Sequence, residues 1–270
     1  IAAFAGVWFW LRPHAAPAPV AQMPAASATP AATAAPTVTP QPYAVAFVEG
    51  RCPFQPPANA AVTCGTVNVP EDRAKPDGPS VTLAVALYHS ARSNVETPPL
   101  FFLQGGPGAD AIAWSALVHA SVVAPIVAER DFVVFDQRGT GFSSPKLECP
   151  DLHTDDPVAA ASACHDSLTA AGINLAAYTT AASAADVRDI ARALHYGRVD
   201  LYGISYGTRL AMTIMRDDPT LVRAAVLDSA LPPEVLRINE TAANAEQALD
   251  SLFADCAADP VCAATYPDLA

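Results

Sequence analysis

Taken as a string of apolar and polar positions, the chain changes texture three times. Residues 1–11, IAAFAGVWFWL, form an apolar run that stops at Arg12-Pro13. It falls short of the ~20 apolar residues that a membrane-crossing helix needs, and no other uninterrupted run reaches that length. A proline-rich stretch rather than a domain follows it, so the pattern predicts the truncated remainder of a signal peptide or signal anchor. Residues 12–42, RPHAAPAPVAQMPAASATPAATAAPTVTPQP, have no apolar period and cannot bury enough surface to offset chain entropy. They predict a disordered Pro/Ala/Thr-rich linker, extended rather than folded.

Patterned sequence begins near Tyr43. VTLAVALYHS sets Val81, Leu83, Val85 and Leu87 on alternate positions between small residues, the period of a half-buried strand. Four shorter runs, PLFFLQGG (99–106), DFVVFDQRG (131–139), VDLYG (199–203) and AAVLDSA (224–230), are continuously apolar and end in Gly, Asp or Ser. Strands of a parallel sheet covered on both faces read this way. Between them lie helical periods. SAADVRDIARALHYG places Val187, Ile190, Ala191 and Leu194 on one face, with Ser183 as the expected N-cap and Gly197 as the stop. SYGTRLAMTIMRDDP closes at Pro219. Strands alternating with helices predict an α/β fold with a mostly parallel sheet and right-handed crossovers, whose ligands sit beyond the carboxyl ends of the strands. Residues 43–232 are assigned to this domain. From 233 to 270 the sequence turns helical and cysteine-bearing with no strand, which reads as the beginning of an inserted helical unit.

Charge and cysteine content narrow the class. A net charge of −12, with only 15 Lys and Arg scattered along 270 residues, argues against nucleic acid as a partner. The six cysteines fall into near neighbours, Cys52/Cys64, Cys149/Cys164 and Cys256/Cys262, and none has zinc-ligand spacing with nearby histidines. Local loop closure favours three sequential disulfides and an exported protein; six reduced thiols are the alternative.

The chemistry concentrates where the apolar runs end. Gly203-Ile204-Ser205-Tyr206-Gly207 stands where a strand hands over to a helix, the setting in which a G-x-S-x-G serine serves as nucleophile. The bend must be tight enough that a Cβ at either glycine would strike neighbouring backbone. Gln104-Gly105-Gly106-Pro107-Gly108 follows the strand LFFL and can aim backbone amides at a developing oxyanion. One donor is expected from the Gly105-Gly106 pair and one from Tyr206. In Asp136-Gln137-Arg138-Gly139, Arg138 is expected to pair with Asp136 and brace the site loops, with direct substrate contact as the alternative. Asp228 closes AAVLD but leads straight into the helical segment, which sets it against a role as the acid that orients a base. All six histidines precede Ser205, and His89, His119 and His195 are expected to be ordinary surface or core residues.

LQGGPG, FVVFDQRGTGFSSP, DVRDIARAL, VDLYGISYGTRLA and AAVLDSALPP, in this order, resemble the tripeptidyl-aminopeptidase-like and proline-iminopeptidase-like branch of the α/β-hydrolases, from about Phe47 to Ala270. The resemblance implies the α/β-hydrolase fold with a helical cap after the sixth strand. It implies a secreted serine hydrolase, most simply an aminopeptidase releasing short peptides, with esterase or amidase activity as the alternative. Ser205 matches its nucleophile and Gly106 and Tyr206 its oxyanion-hole positions. Peptides or small esters and amides are the implied substrates, no cofactor or metal is implied, and a membrane enters only through an N-terminal anchor. Members place an Asp and then a His after the cap, so the 270 residues are expected to be an N-terminal portion without efficient turnover of its own. A hydrolase-fold binding protein without catalysis is the reading from another class.

Overall fold

The structure is a computed structural model that describes residues 43–93, 97–149, 156–235 and 237–269. The N-terminal apolar run and the Pro/Ala/Thr-rich segment lie outside these residues. In chain order the elements are β1 (Phe47–Gly50), β2 (Val62–Pro70), β3 (Ser80–Tyr88), β4 (Leu100–Leu103), α1 (Ala111–Leu117), a π-helical turn (His119–Val123), α2 (Ala124–Val127) and β5 (Phe132–Phe135). They continue with α3 (Pro157–Ala170), a 3-10 turn (Leu175–Ala177), α4 (Thr180–Ala193), β6 (Val199–Ile204), α5 (Tyr206–Asp217) and β7 (Val222–Asp228). The chain then enters α6 (Arg237–Ala258) and α7 (Pro260–Thr265).

The strands form one seven-stranded sheet in the order β1-β2-β3-β5-β4-β6-β7. From β1 to β5 neighbours run antiparallel, and β5, β4, β6 and β7 are parallel. The parallel half carries the short apolar runs, and its carboxyl ends deliver Gln104, Asp136, Ser205 and Asp228 to one edge of the sheet. β1 and β2 were not legible as strands, so the helical segment follows the seventh described strand rather than the sixth.

Two apolar layers cover the sheet. On one face Val81, Leu83, Val85, Leu87, Phe101, Val133, Phe135 and Leu201 pack with Val187 and Ile190 of α4 and Leu210 and Ile214 of α5. On the other, Ala84, Ala86, Tyr88, Phe102, Phe132 and Val134 pack with Ala111 and Ile112 of α1 and with Val123. β3 is therefore buried on both faces, not half-buried as its alternation predicts: its small residues lie under α1 rather than in water.

The end signals of α4 also differ from expectation. Its N-cap is Thr179, whose hydroxyl accepts from the Ala182 amide at 3.2 Å, while Ser183 lies buried within the helix. Any Ser or Thr ahead of the alanines can cap, and the four alanines before Val187 extend the helix without an apolar signal. The helix ends at Ala193, and His195 rather than Gly197 takes the left-handed position, at φ 62°.

All three sequential cysteine pairs are disulfides: Cys52–Cys64, Cys149–Cys164 and Cys256–Cys262. Cys149–Cys164 ties the segment after β5 to α3, and Cys256–Cys262 joins α6 to α7. Among the described residues β7 pairs only with β6, and Val226 is 56% exposed. The passage from β7 into α6 is fastened to α5, where Thr208 Oγ1 accepts from Leu231 N (2.8 Å) and Arg209 Nη2 donates to the carbonyls of Pro232 (2.9 Å) and Val235 (2.6 Å).

Candidate active site

Ser205 occupies the one-residue bend between β6 and α5, at φ 54° and ψ −120°. Residues with a side chain rarely adopt such dihedrals, and the surrounding structure must fix them. Here the Ser205 amide donates to Asp228 O at 2.8 Å, and Ser205 O accepts from Thr208 N (2.9 Å) and Thr208 Oγ1 (2.6 Å). The flanking glycines behave as the bend requires. A Cβ at Gly203 would run into the Gly207 carbonyl, and one at Gly207 into the Leu103 carbonyl oxygen. α5 thus seats directly on the end of β4.

That seating brings the diglycine loop to the serine. A methyl group at Gly105 would stand 2.9 Å from Ile204 O, 3.0 Å from Ser205 Cβ and 3.6 Å from Ser205 Oγ. Gly105 N–H is taken by Gln104 Oε1 at 2.9 Å. Gly106, at φ 106°, has no acceptor for its amide among the described residues. Tyr206 is the first residue of α5, where an amide has no intrahelical acceptor, and its phenol shares a 2.8 Å hydrogen bond with Thr180 Oγ1. Ser205, Tyr206 and the loop bearing Gly106 are therefore neighbours. α5 also points its positive end at the bend, where negative charge is favoured.

The Asp136–Gly139 stretch works differently from expectation. Arg138 does not pair with Asp136. Its Nε and Nη2 donate to both oxygens of Asp186 on α4, each at 2.7 Å, and its Nη1 donates to Glu71 O (2.9 Å) and Ala177 O (2.8 Å). Asp136 is fully buried and spends its carboxylate on amides: Oδ1 accepts from Ala111 (2.8 Å) and Ile112 (3.0 Å) at the start of α1, and Oδ2 from Phe142 (2.8 Å). Burial pushes its pKa up to about 6; the three amides oppose the rise and the nearby Asp110 adds to it. Arg138 does brace the loops, through α4 instead. Arg73 completes the cluster, with Nη2 at 2.7 Å from both Asp186 and Asp189. Sequence reasoning passed over Asp186 and Asp189, although two acids one turn apart beside the apolar stripe of α4 were a readable sign of buried cations.

A cavity of about 320 Å³ opens beside the site, bordered by Pro107, Gly108, Gln137, Thr140, Tyr178 and Tyr206. The described histidines lie elsewhere. His89 Nε2 shares a hydrogen bond with Thr63 Oγ1 (2.7 Å), His165 pairs with Asp166 on the surface of α3, and His195 ends α4 ahead of β6. His119 opens the π-helical turn, tilted against Tyr88 with ring centroids 5.8 Å apart. The Asp228 carboxylate accepts from the Tyr202 phenol at 2.9 Å, while its carbonyl holds the Ser205 amide.

A family model described as alpha/beta hydrolase fold matches residues 98–261. The chain is 32% identical over 193 residues to a tripeptidyl aminopeptidase of Streptomyces lividans, covering 64% of this chain and 36% of that one. It is 33% identical over 222 residues to carboxylesterase B of Mycobacterium tuberculosis, covering 74% and 42% of the two chains. To serine protease Hip1 of the same organism it is 27% identical over 224 residues, again covering 74% and 42%. The chain spans between 36% and 42% of the length of these curated relatives.

Proposed function

The chain belongs to the α/β-hydrolase fold family, and from that premise we propose that the protein is an exported serine hydrolase that releases short peptides from substrate N-termini through an acyl-enzyme on Ser205. The observation that carries the reading is the placement of Ser205, on a strained bend at a helix N-terminus with the Gly105-Gly106 loop against its side chain. Ser205 Oγ attacks the scissile carbonyl carbon as a base takes its proton. The tetrahedral oxyanion rests on the amides of Gly106 and Tyr206, the leaving amine receives the proton, and water then frees the acyl group.

No described histidine stands at this end of the sheet in position to serve Ser205. The proposal takes the base and its orienting acid from the part of the relatives' length that this chain does not span. Residues 1–270 alone are accordingly expected to show no efficient turnover. Three disulfides support export, since such bonds persist in oxidising compartments.

Ester hydrolysis is the second reading, favoured by the 33% identity to a carboxylesterase. Labelling of the full-length protein with a fluorophosphonate tests the nucleophile: Ser205→Ala is expected to abolish labelling, and equal labelling of the variant would remove Ser205 from the role. A panel pairing N-terminally free peptides with short acyl esters then separates the two readings by their relative kcat/KM.

A further inference from the structure

The loop bearing Gly106 is held at both ends by two consecutive residues from the exit of β5. At its far end Asp136 accepts the amides of Ala111 and Ile112. At its near end Gln137 Nε2 donates to Gln104 O at 3.0 Å. The backbone of Gln137 is itself fixed, because its carbonyl accepts from Thr140 N (3.0 Å) and Thr140 Oγ1 (2.9 Å). Gln104 is also the residue whose side chain occupies the Gly105 amide. A bond to its carbonyl therefore fixes the peptide unit immediately before the one that leaves Gly106 N–H without an acceptor.

An amide is suited to this work. It can donate to a carbonyl, whereas a carboxylate of the same size would repel it and a thioether would offer nothing. The Gln137 side chain makes one hydrogen bond among the described residues and borders the 320 Å³ cavity. Gln137 is buried but belongs to neither apolar layer. Asp136, by contrast, also anchors α1 and Phe142, so its loss would be felt throughout the fold.

We propose that Gln137 is a positioning residue for the Ser205 reaction, setting the Gly106 amide through the Gln104 carbonyl. The proposal rests on the reading of Ser205 as nucleophile and Gly106 as oxyanion donor. Transition-state donors act over a narrow range of placement, and loss of a whole donor costs ~10²–10³-fold in rate. Displacing one is expected to cost at least ~10-fold.

The test is saturation kinetics of fluorophosphonate labelling on the full-length protein and its Gln137→Met and Gln137→Glu variants. In both variants the limiting labelling rate is expected to fall at least ~10-fold, with Glu no better than Met, while half-saturation stays within ~2-fold. A side chain that only supported the fold would instead move the limiting rate, half-saturation and the melting temperature together. That joint change would overturn the proposal, as would a limiting rate within ~2-fold of wild type in either folded variant. Failure of both variants to fold would overturn it too, since a buried side chain that lies in neither apolar layer and only orients a loop is dispensable for folding. An unlabelled wild-type protein would instead remove the Ser205 reading itself, whereas labelled wild type with unaffected variants removes only the role of Gln137.

Discussion

Ser205 holds a conformation that costs a residue with a side chain about 1–3 kcal/mol, and three hydrogen bonds to its backbone keep it there. The glycines around it are where this arrangement is most easily broken. Gly207→Ala would drive a methyl into the Leu103 carbonyl, and a loss of about 1–3 kcal/mol or more in urea unfolding is the expected result. Gly105→Ala places a methyl 2.9 Å from Ile204 O and 3.6 Å from Ser205 Oγ. It is expected to slow fluorophosphonate labelling more than it lowers the melting temperature, because the loop can shift where the helix cannot. Asp136 adds a pH dependence. Its folded pKa of about 6 lies above the ordinary 3.8, so the folded state holds the proton more tightly. Its contribution favours folding most below pH ~4 and is lost as pH rises through ~6, an effect of about 3 kcal/mol. Unfolding free energies at pH 4 and pH 7 should therefore show the wild type losing ground to Asp136→Asn as pH rises; no change in the difference between them would refute this.

The elements show what sequence pattern can and cannot convey. LFFL and FVVF were legible as strands because both of their faces are buried, so nothing polar interrupts them. VTCGTVNVP was not, because β2 mixes buried valines with Thr, Gly and Asn that face only partly covered ground. The Ser205 bend could be read because its chemistry is local, a serine between two glycines where a strand meets a helix. The partner of Arg138 could not, because Asp186 lies 48 residues away and a one-dimensional period carries no information about such pairs. The pairing matters energetically. Asp186 is buried between two guanidinium groups, and removing one partner of a buried ion pair typically costs about 3–5 kcal/mol. Asp186→Ala is expected to lose that much in denaturant unfolding, and a loss below about 1 kcal/mol would show the cluster to be exposed to water.

For the whole molecule, the three disulfides each close a short loop, with sequence separations of 12, 15 and 6. Thiol titration of the denatured, unreduced protein is expected to find no free cysteine, and finding six would overturn both the pairing and the proposed export. Reduction of a loop of this size is expected to lower stability by about 2–4 kcal/mol per bond. The bolt between Arg209 and the carbonyls of Pro232 and Val235 has a mechanical meaning. A pull on residues 231–235 is delivered to the first turn of α5, next to Ser205, without crossing the sheet. The start of the helical segment and the bend that carries Ser205 are thus moored to the same turn of α5.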